Sequence, residues 1–312
     1  MARTPEQRPL ESKISRRNFL KRTGIGVGAL ALGDQSFWVD ALFDSHGSKI
    51  HFDPEQKARL KDATSVCLFF GGLTVGSPEK LSAHLLTSTL ASLGPVGFID
   101  YGETGPDIKG IVKRVQGLQE RYGISEVDAY FSSSGLQIGS EVFDRLGDTI
   151  KLNHGILSST PVNLSTTRYP WAKTLTDVLD AVHYRGGYFL TWAFNSVPYK
   201  NPFKDGAAEP ALLWKEGLLL KDGRKSVEKL VRRVEHDGTK LAFITGIDPK
   251  SDPTIDPVAS ERELRAMGLG PYLEENVERL GGNQGHENYD DNLAEYQRVI
   301  GDTIKMWKGA VT

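Results

Sequence analysis

Apolar and polar positions fall into a repeating order from about residue 60 onward. Short apolar runs of strand length alternate with longer segments whose apolar residues recur every three or four positions. Val66–Phe70 is the first such run and ends in Gly71-Gly72-Leu73. Ser77-Pro78-Glu79 then opens a helix with a capping side chain, a proline at its first position and an acid behind it. Leu81, Leu85, Leu86 and Leu90 supply its apolar face, and Gly94 closes it. Pro95–Ile99 reads as the second strand. From Pro106 to about Tyr122 a second helix carries Ile108, Ile111, Val112, Val115 and Leu118 on one face, with Gly123 as its stop. Val127–Phe131 is the third strand, and Leu136, Val142, Phe143 and Leu146 mark the helix behind it. Asp148–Ile156 reads as the fourth, ending in Leu157-Ser158-Ser159-Thr160-Pro161.

Strands separated by helices of this length imply parallel βαβ units with helices on both faces. Ligands of such sheets bind beyond the carboxyl ends of the strands, and the Gly71-Gly72, Asp100-Tyr101-Gly102, Ser132–Gly135 and Ser158–Pro161 loops all fall at that edge. The alternation lapses between about 162 and 235, an aromatic stretch that includes Tyr169, Trp171, Trp192 and Trp214. An insertion of this kind either covers a site and lines its pocket or packs a small core of its own. Within it, Lys221–Arg233 reads as a charged helix with a solvated face. The sheet pattern resumes with Lys240–Gly246, followed by an acidic, proline-broken loop from Ile247 to Pro257 and a helix around Val258–Met267. Gly281-Gly282-Asn283-Gln284-Gly285-His286 then leads into an amphipathic helix from about Tyr289 to Trp307.

The 312 residues are ample for one large core. A formal charge of −2 gives no footprint for nucleic acid or a membrane surface as partner. The N-terminus changes the picture. Ser15-Arg16-Arg17-Asn18-Phe19-Leu20-Lys21, with a short Gly-rich apolar stretch from Thr23 to Leu32, closely resembles a bacterial twin-arginine export signal. The apolar stretch is too short for a membrane span, which needs about 20 residues. Cleavage is expected near 31 or near 41, with 1–41 as signal and linker and 42–312 as the working domain. Residues 1–32 hold seven Lys/Arg and two Asp/Glu, so their removal takes the formal charge from −2 to −7. The resemblance implies export through the twin-arginine machinery to the periplasm or beyond. Cys67, the single cysteine, can form no internal disulfide and sits in an apolar run as a small buried side chain.

Val127-Asp128-Ala129-Tyr130-Phe131-Ser132-Ser133-Ser134-Gly135 holds the candidate chemistry. A strand that turns into a helix without a loop leaves one residue on a tight corner, lifted at a helix N-terminus that favours negative charge. A serine there is a candidate acyl-transfer nucleophile. Such chemistry needs a base, a carboxylate to hold the base in the right tautomer, and donors for an oxyanion. The chain supplies a serine corner, an acidic loop after a later strand, and Gly285-His286 before the last helix, in that order. With the Gly-Gly loop, this resembles the α/β-hydrolase superfamily over roughly residues 60–308, with 162–235 as its variable cap.

The resemblance implies an α/β fold, a mostly parallel sheet with helices on both faces and an inserted cap. It makes Ser133 the nucleophile and Gly135 the close-packed glycine two residues on. Phe131 then stands where the family usually keeps glycine. Ser134 is the alternative nucleophile, and that register puts Leu136 in place of the second glycine. His286 falls where the family places its base. Asp248 is the preferred acid, with Asp252 and Asp256 as alternatives. The oxyanion donors would be the N–H of Ser134 and that of Leu73 or Gly72. The implied activity is hydrolysis of an ester or related acyl bond in a small molecule, with no metal or organic cofactor. The alternative is a non-catalytic ligand-binding protein on the same fold.

Overall fold

The computed structural model describes residues 48–72, 89–101, 106–168, 219–246, 248, 250, 252, 255–275, 277–281 and 289–309. The chain divides into two units, Met1–Ala41 and Leu42–Thr312. The first, with Arg16 and Arg17, lies outside the described residues, as do the helix expected from Ser77, most of the expected cap, Leu73 and His286.

In chain order the main elements are strand β1 (Lys49–His51), helix α1 (Pro54–Arg59), β2 (Ser65–Phe70), β3 (Val96–Asp100) and α2 (Ile108–Tyr122). They continue as β4 (Glu126–Ser132), α3 (Gly135–Leu146), β5 (Lys151–Ser158), α4 (Gly223–Asp237), β6 (Lys240–Ile244), α5 (Pro257–Leu264) and α6 (Tyr289–Trp307). The six strands form one sheet in the order β1-β3-β2-β4-β5-β6. Only β1 runs antiparallel, pairing with β3; every other pairing is parallel. This edge strand was not anticipated, since three residues are too few to show a period.

Side chains alternate across the sheet as a period of two requires. Val66, Leu68 and Phe70 of β2 and Val127, Ala129 and Phe131 of β4 join the buried faces of α2, α3 and α4 in one core. Cys67, Phe69 and Tyr130 join Tyr296, Val299, Ile300 and Ile304 of α6 in the other. Helices therefore cover both faces, and the fold is the α/β, mostly parallel, α/β-hydrolase-like arrangement the sequence implies. Cys67 is wholly buried, and burial pushes its thiol well up, so it packs as an apolar side chain.

Local signals explain the helix limits. The Asp107 side chain accepts the Gly110 N–H at 2.8 Å to start α2, and Gly123, with φ of 74°, ends it. One expectation needs correction. The strand expected from Asp148 begins at Lys151, because Gly147 at φ of 55° leads into a short 3₁₀ turn through Thr149. The charged helix forms as α4 with its charged face solvated, and its other face buries Val227, Leu230 and Val234 in the sheet's core. Arg233 is buried too, donating to the carbonyls of Gly147 and Ile150 with its Nε 2.6 Å from Asp237. The sheet's own helices thus resume at Gly223, inside the interval read as insertion.

A second close pair, half-buried on the histidine side, sits near the start of β4. Asp128, 1% exposed, lies 2.7 Å from Nδ1 of His154 on β5, whose ring stacks on Trp307 of α6 at 4.6 Å. Burial raises the Asp128 carboxyl above its ordinary value and outweighs the hydrogen bonds from His154 and Asn153; Glu126 adds to the rise. A carboxyl raised on folding contributes stability below its unfolded value and loses it as pH climbs through the folded one. Asp128→Asn has no such titration. In urea unfolding between about pH 3 and pH 7, the stability of wild type relative to this variant should decline as pH rises. A difference that grows toward neutrality would contradict the burial account.

Candidate functional site

β4 passes into α3 through two residues, Ser133 and Ser134. Ser133 has φ of 51°, a left-handed backbone that costs a non-glycine residue about 1–2 kcal/mol. Ser134 has ordinary helical angles and occupies the N-cap position of α3 without a side-chain cap bond. Of the three serines, only Ser133 thus has the strained geometry of a corner residue. Its N–H donates to the Ser158 carbonyl at the end of β5, 3.1 Å away. Ser132, Ser133 and Ser134 are all buried.

The corner is hemmed in by backbone. A Cβ at Gly135 would stand 2.0 Å from the Phe70 carbonyl oxygen, at the end of β2. Only glycine lets α3 start this close to the neighbouring strand. A Cβ on Gly72 would lie 2.9 Å from Ser133 Cβ and 3.5 Å from Ser134 Oγ, so the Gly-Gly loop runs directly past both serines. Phe131, where glycine was expected, is fully buried under the corner, stacked on Phe70 at 5.5 Å. Two glycines make its room: a Cβ at Gly139 would meet its ring at 2.3 Å, and one at Gly155 at 3.3 Å.

The acidic loop lies two strands away at the same edge. Asp248 is exposed, and its Oδ1 accepts the Lys250 N–H at 2.9 Å. Asp252 is 7% exposed, and its Oδ1 accepts the Ile255 N–H at 3.0 Å. Asp256 caps α5 by accepting the Ala259 N–H, also at 3.0 Å. Asp248 and Asp252 share a cavity of about 10 Å³ with Ser159 and Tyr296. Ser159, next to the carbonyl that holds Ser133, is itself left-handed at φ of 48°.

Leu280 pairs parallel with Gly246, past the end of β6, and its N–H donates to the Thr245 carbonyl. The Glu295 carboxylate then accepts the Gly281 N–H at 2.8 Å. Arg298 and that N–H hold the Glu295 carboxyl down at about 2. The segment carrying His286 follows Gly281 and lies outside the described residues.

The structure therefore brings Ser133, Ser134 and Gly72 together and gathers the aspartates two strands along the same edge. Sequence reasoning had no role for the strain at Ser159. The Ser-Ser after an apolar run marked its loop but could not show which residue takes the positive φ.

No protein-family model matches the chain, and no curated protein sequence does. Among solved structures, the chain is similar to an esterase from Pyrococcus furiosus, at 12% identity and a TM-score of 0.45 over 79% of this chain and 83% of that one. A meta-cleavage product hydrolase from Pseudomonas fluorescens is similar at 13% identity and a TM-score of 0.46, over 83% and 94%. An enol-lactonase from Burkholderia xenovorans is similar at 14% identity and a TM-score of 0.45, over 83% and 96%. No helix among the described residues is long and apolar enough to cross a membrane.

Gly135→Ala tests the corner's dependence on close backbone approach. It should cost about 1–3 kcal/mol, the usual penalty of overpacking, read as a lower urea midpoint. An unchanged midpoint would mean that α3 can shift freely away from β2.

Proposed function

We propose that the chain is an exported serine hydrolase that cleaves a carboxylic ester or related acyl bond in a small molecule. The observation that carries this reading is the left-handed Ser133, on a strand-to-helix corner beside Gly72. A serine held at such a cost, at the edge where parallel sheets bind ligands, fits a nucleophile. His286 is its base. Asp252 supports the role of acid better than Asp248, because a carboxylate out of water holds an imidazolium more firmly than an exposed one. The Asp256 carboxylate already serves as a helix cap.

In this scheme His286 takes the proton from the Ser133 hydroxyl as the oxygen attacks the acyl carbon. The N–H groups of Ser134 and of Leu73 or Gly72 receive the oxyanion. The tetrahedral intermediate collapses, the C–O bond to the leaving alcohol breaks, and His286 returns the proton to that alcohol. Water, deprotonated by the same base, attacks the acyl-serine, releases the acid and restores Ser133. The aromatic segment between β5 and α4 would cover the pocket as a cap.

A fluorophosphonate probe should label the wild type and leave Ser133→Ala unlabelled, with p-nitrophenyl ester turnover falling roughly 10³-fold or more. Asp252→Asn should lose about 10²–10⁴-fold in kcat, while Asp248→Asn stays near wild type. Labelling that survives Ser133→Ala but not Ser134→Ala would move the nucleophile by one residue. No labelling of the folded wild type would favour a ligand-binding protein instead. Replacing Arg16 and Arg17 together by lysine should leave the chain in the cytoplasm, measured by cell fractionation; unaltered export would remove the twin-arginine reading.

A further inference from the structure

A groove opens at the other end of the sheet from the serine corner, between β1, α1 and the C-terminal half of α2. Its volume is about 300 Å³, at the lower end of what small-molecule pockets offer. Ile50, Phe52, Leu60, Leu118 and Tyr122 give it an apolar lining. Lys57, Arg114 and Arg121 line it too, and among the described residues no acidic one does. Lys57 and Arg121 have no ion-pair or side-chain hydrogen-bond partner among the described residues. Arg114 gives its Nε to the Ser48 carbonyl and meets no carboxylate there.

The glycine in this wall is a second, independent observation. A mid-helix glycine costs a helix stability relative to alanine, so it usually has a packing reason. Gly110 of α2 has one, because a Cβ there would stand 2.1 Å from Asp107 Oδ2 of the helix cap. Gly117 has none: a Cβ at that position would meet nothing within 4 Å. What the missing side chain does is leave the groove open.

We infer that this groove binds a small amphipathic organic anion, with an alkyl or aryl body on the apolar lining and one carboxylate among Lys57, Arg114 and Arg121. The division of labour follows from the chemistry. Burial of the apolar body supplies attraction of either sign, while three cations select negative charge, and the planar guanidinium groups suit a carboxylate. Because the cationic heads are exposed, their contribution is screened by salt. The site is separate from the serine corner and does not depend on the reading of that corner.

Calorimetric titration of the full chain with octanoate, octan-1-ol and octylamine tests the inference. Octanoate should bind at least tenfold tighter than octan-1-ol at low salt, octylamine should bind more weakly than octan-1-ol, and the preference should shrink at high salt. Gly117→Leu, which fills the groove with a good helix former, should weaken octanoate at least tenfold. Lys57→Gln/Arg121→Gln, at exposed positions that leave folding intact, should shrink the preference for octanoate over octan-1-ol to what Arg114 alone supports. Octanoate binding unchanged in the double variant, or equal binding of all three compounds, would overturn the proposal.

Discussion

One backbone conformation organises this protein: the left-handed turn at Ser133 between β4 and α3. It is unfavourable in isolation and persists only because its surroundings fix it from several sides. Ser133 is tied through its N–H to β5, Gly135 is pressed against the carbonyl of Phe70, and Gly72 passes the serine's own Cβ. The first two are approaches of backbone to backbone, which side-chain adjustment cannot relieve. The Phe131 ring beneath adds a fourth, filling space left by Gly139 and Gly155. A large residue where a small one was expected is therefore matched by small residues opposite, as dense packing demands.

The sheet order turns that corner into part of an edge. β5 stands between the serine strand and β6, so the Ser158 carbonyl that holds Ser133 is one residue from the second left-handed position, Ser159. Ser159 in turn shares its small cavity with Asp248 and Asp252. Along the same edge, Ser158 Oγ, Thr160 Oγ1 and Gln137 Oε1 are buried and meet no hydrogen-bond partner among the described residues. The amide of Gln137 meanwhile donates to the carbonyls of Pro161 and Val162, anchoring the chain that leaves the edge to the first turn of α3.

Most of the architecture was legible because strands buried on both faces and amphipathic helices leave strong periodic marks. β2, β3, β4, α2, α3, β6 and α6 follow from such marks within a few residues. The failures have local causes. β1 is only three residues long and takes its meaning from pairing with β3. The buried face of α4 was obscured because it includes Arg233, whose charge is met by Asp237 and two carbonyls rather than by water. Spacing could not distinguish the three aspartates, which differ in burial and local bonds: Asp252 is buried, Asp248 is exposed and Asp256 caps α5. Proline follows all three and distinguishes none.

The opposite end of the sheet follows different rules, and the contrast bears on where chemistry can occur. Asp128 and His154 form a close His–carboxylate pair, at 2.7 Å. Yet the ring is stacked on Trp307, and the strand carries Asp128 onto the α6 side of the sheet, several residues before the corner. A base needs a nucleophile within hydrogen-bond reach and space for a substrate. The pair's neighbour on β2 is Cys67, whose thiol burial holds protonated. The carboxyl, too, is pushed toward its neutral form, the reverse of what stabilises an imidazolium. A histidine beside an aspartate is thus not in itself a catalytic pair. Here it fastens the C-terminal helix to the sheet, while the two left-handed non-glycine positions among the described residues, Ser133 and Ser159, both lie at the serine edge.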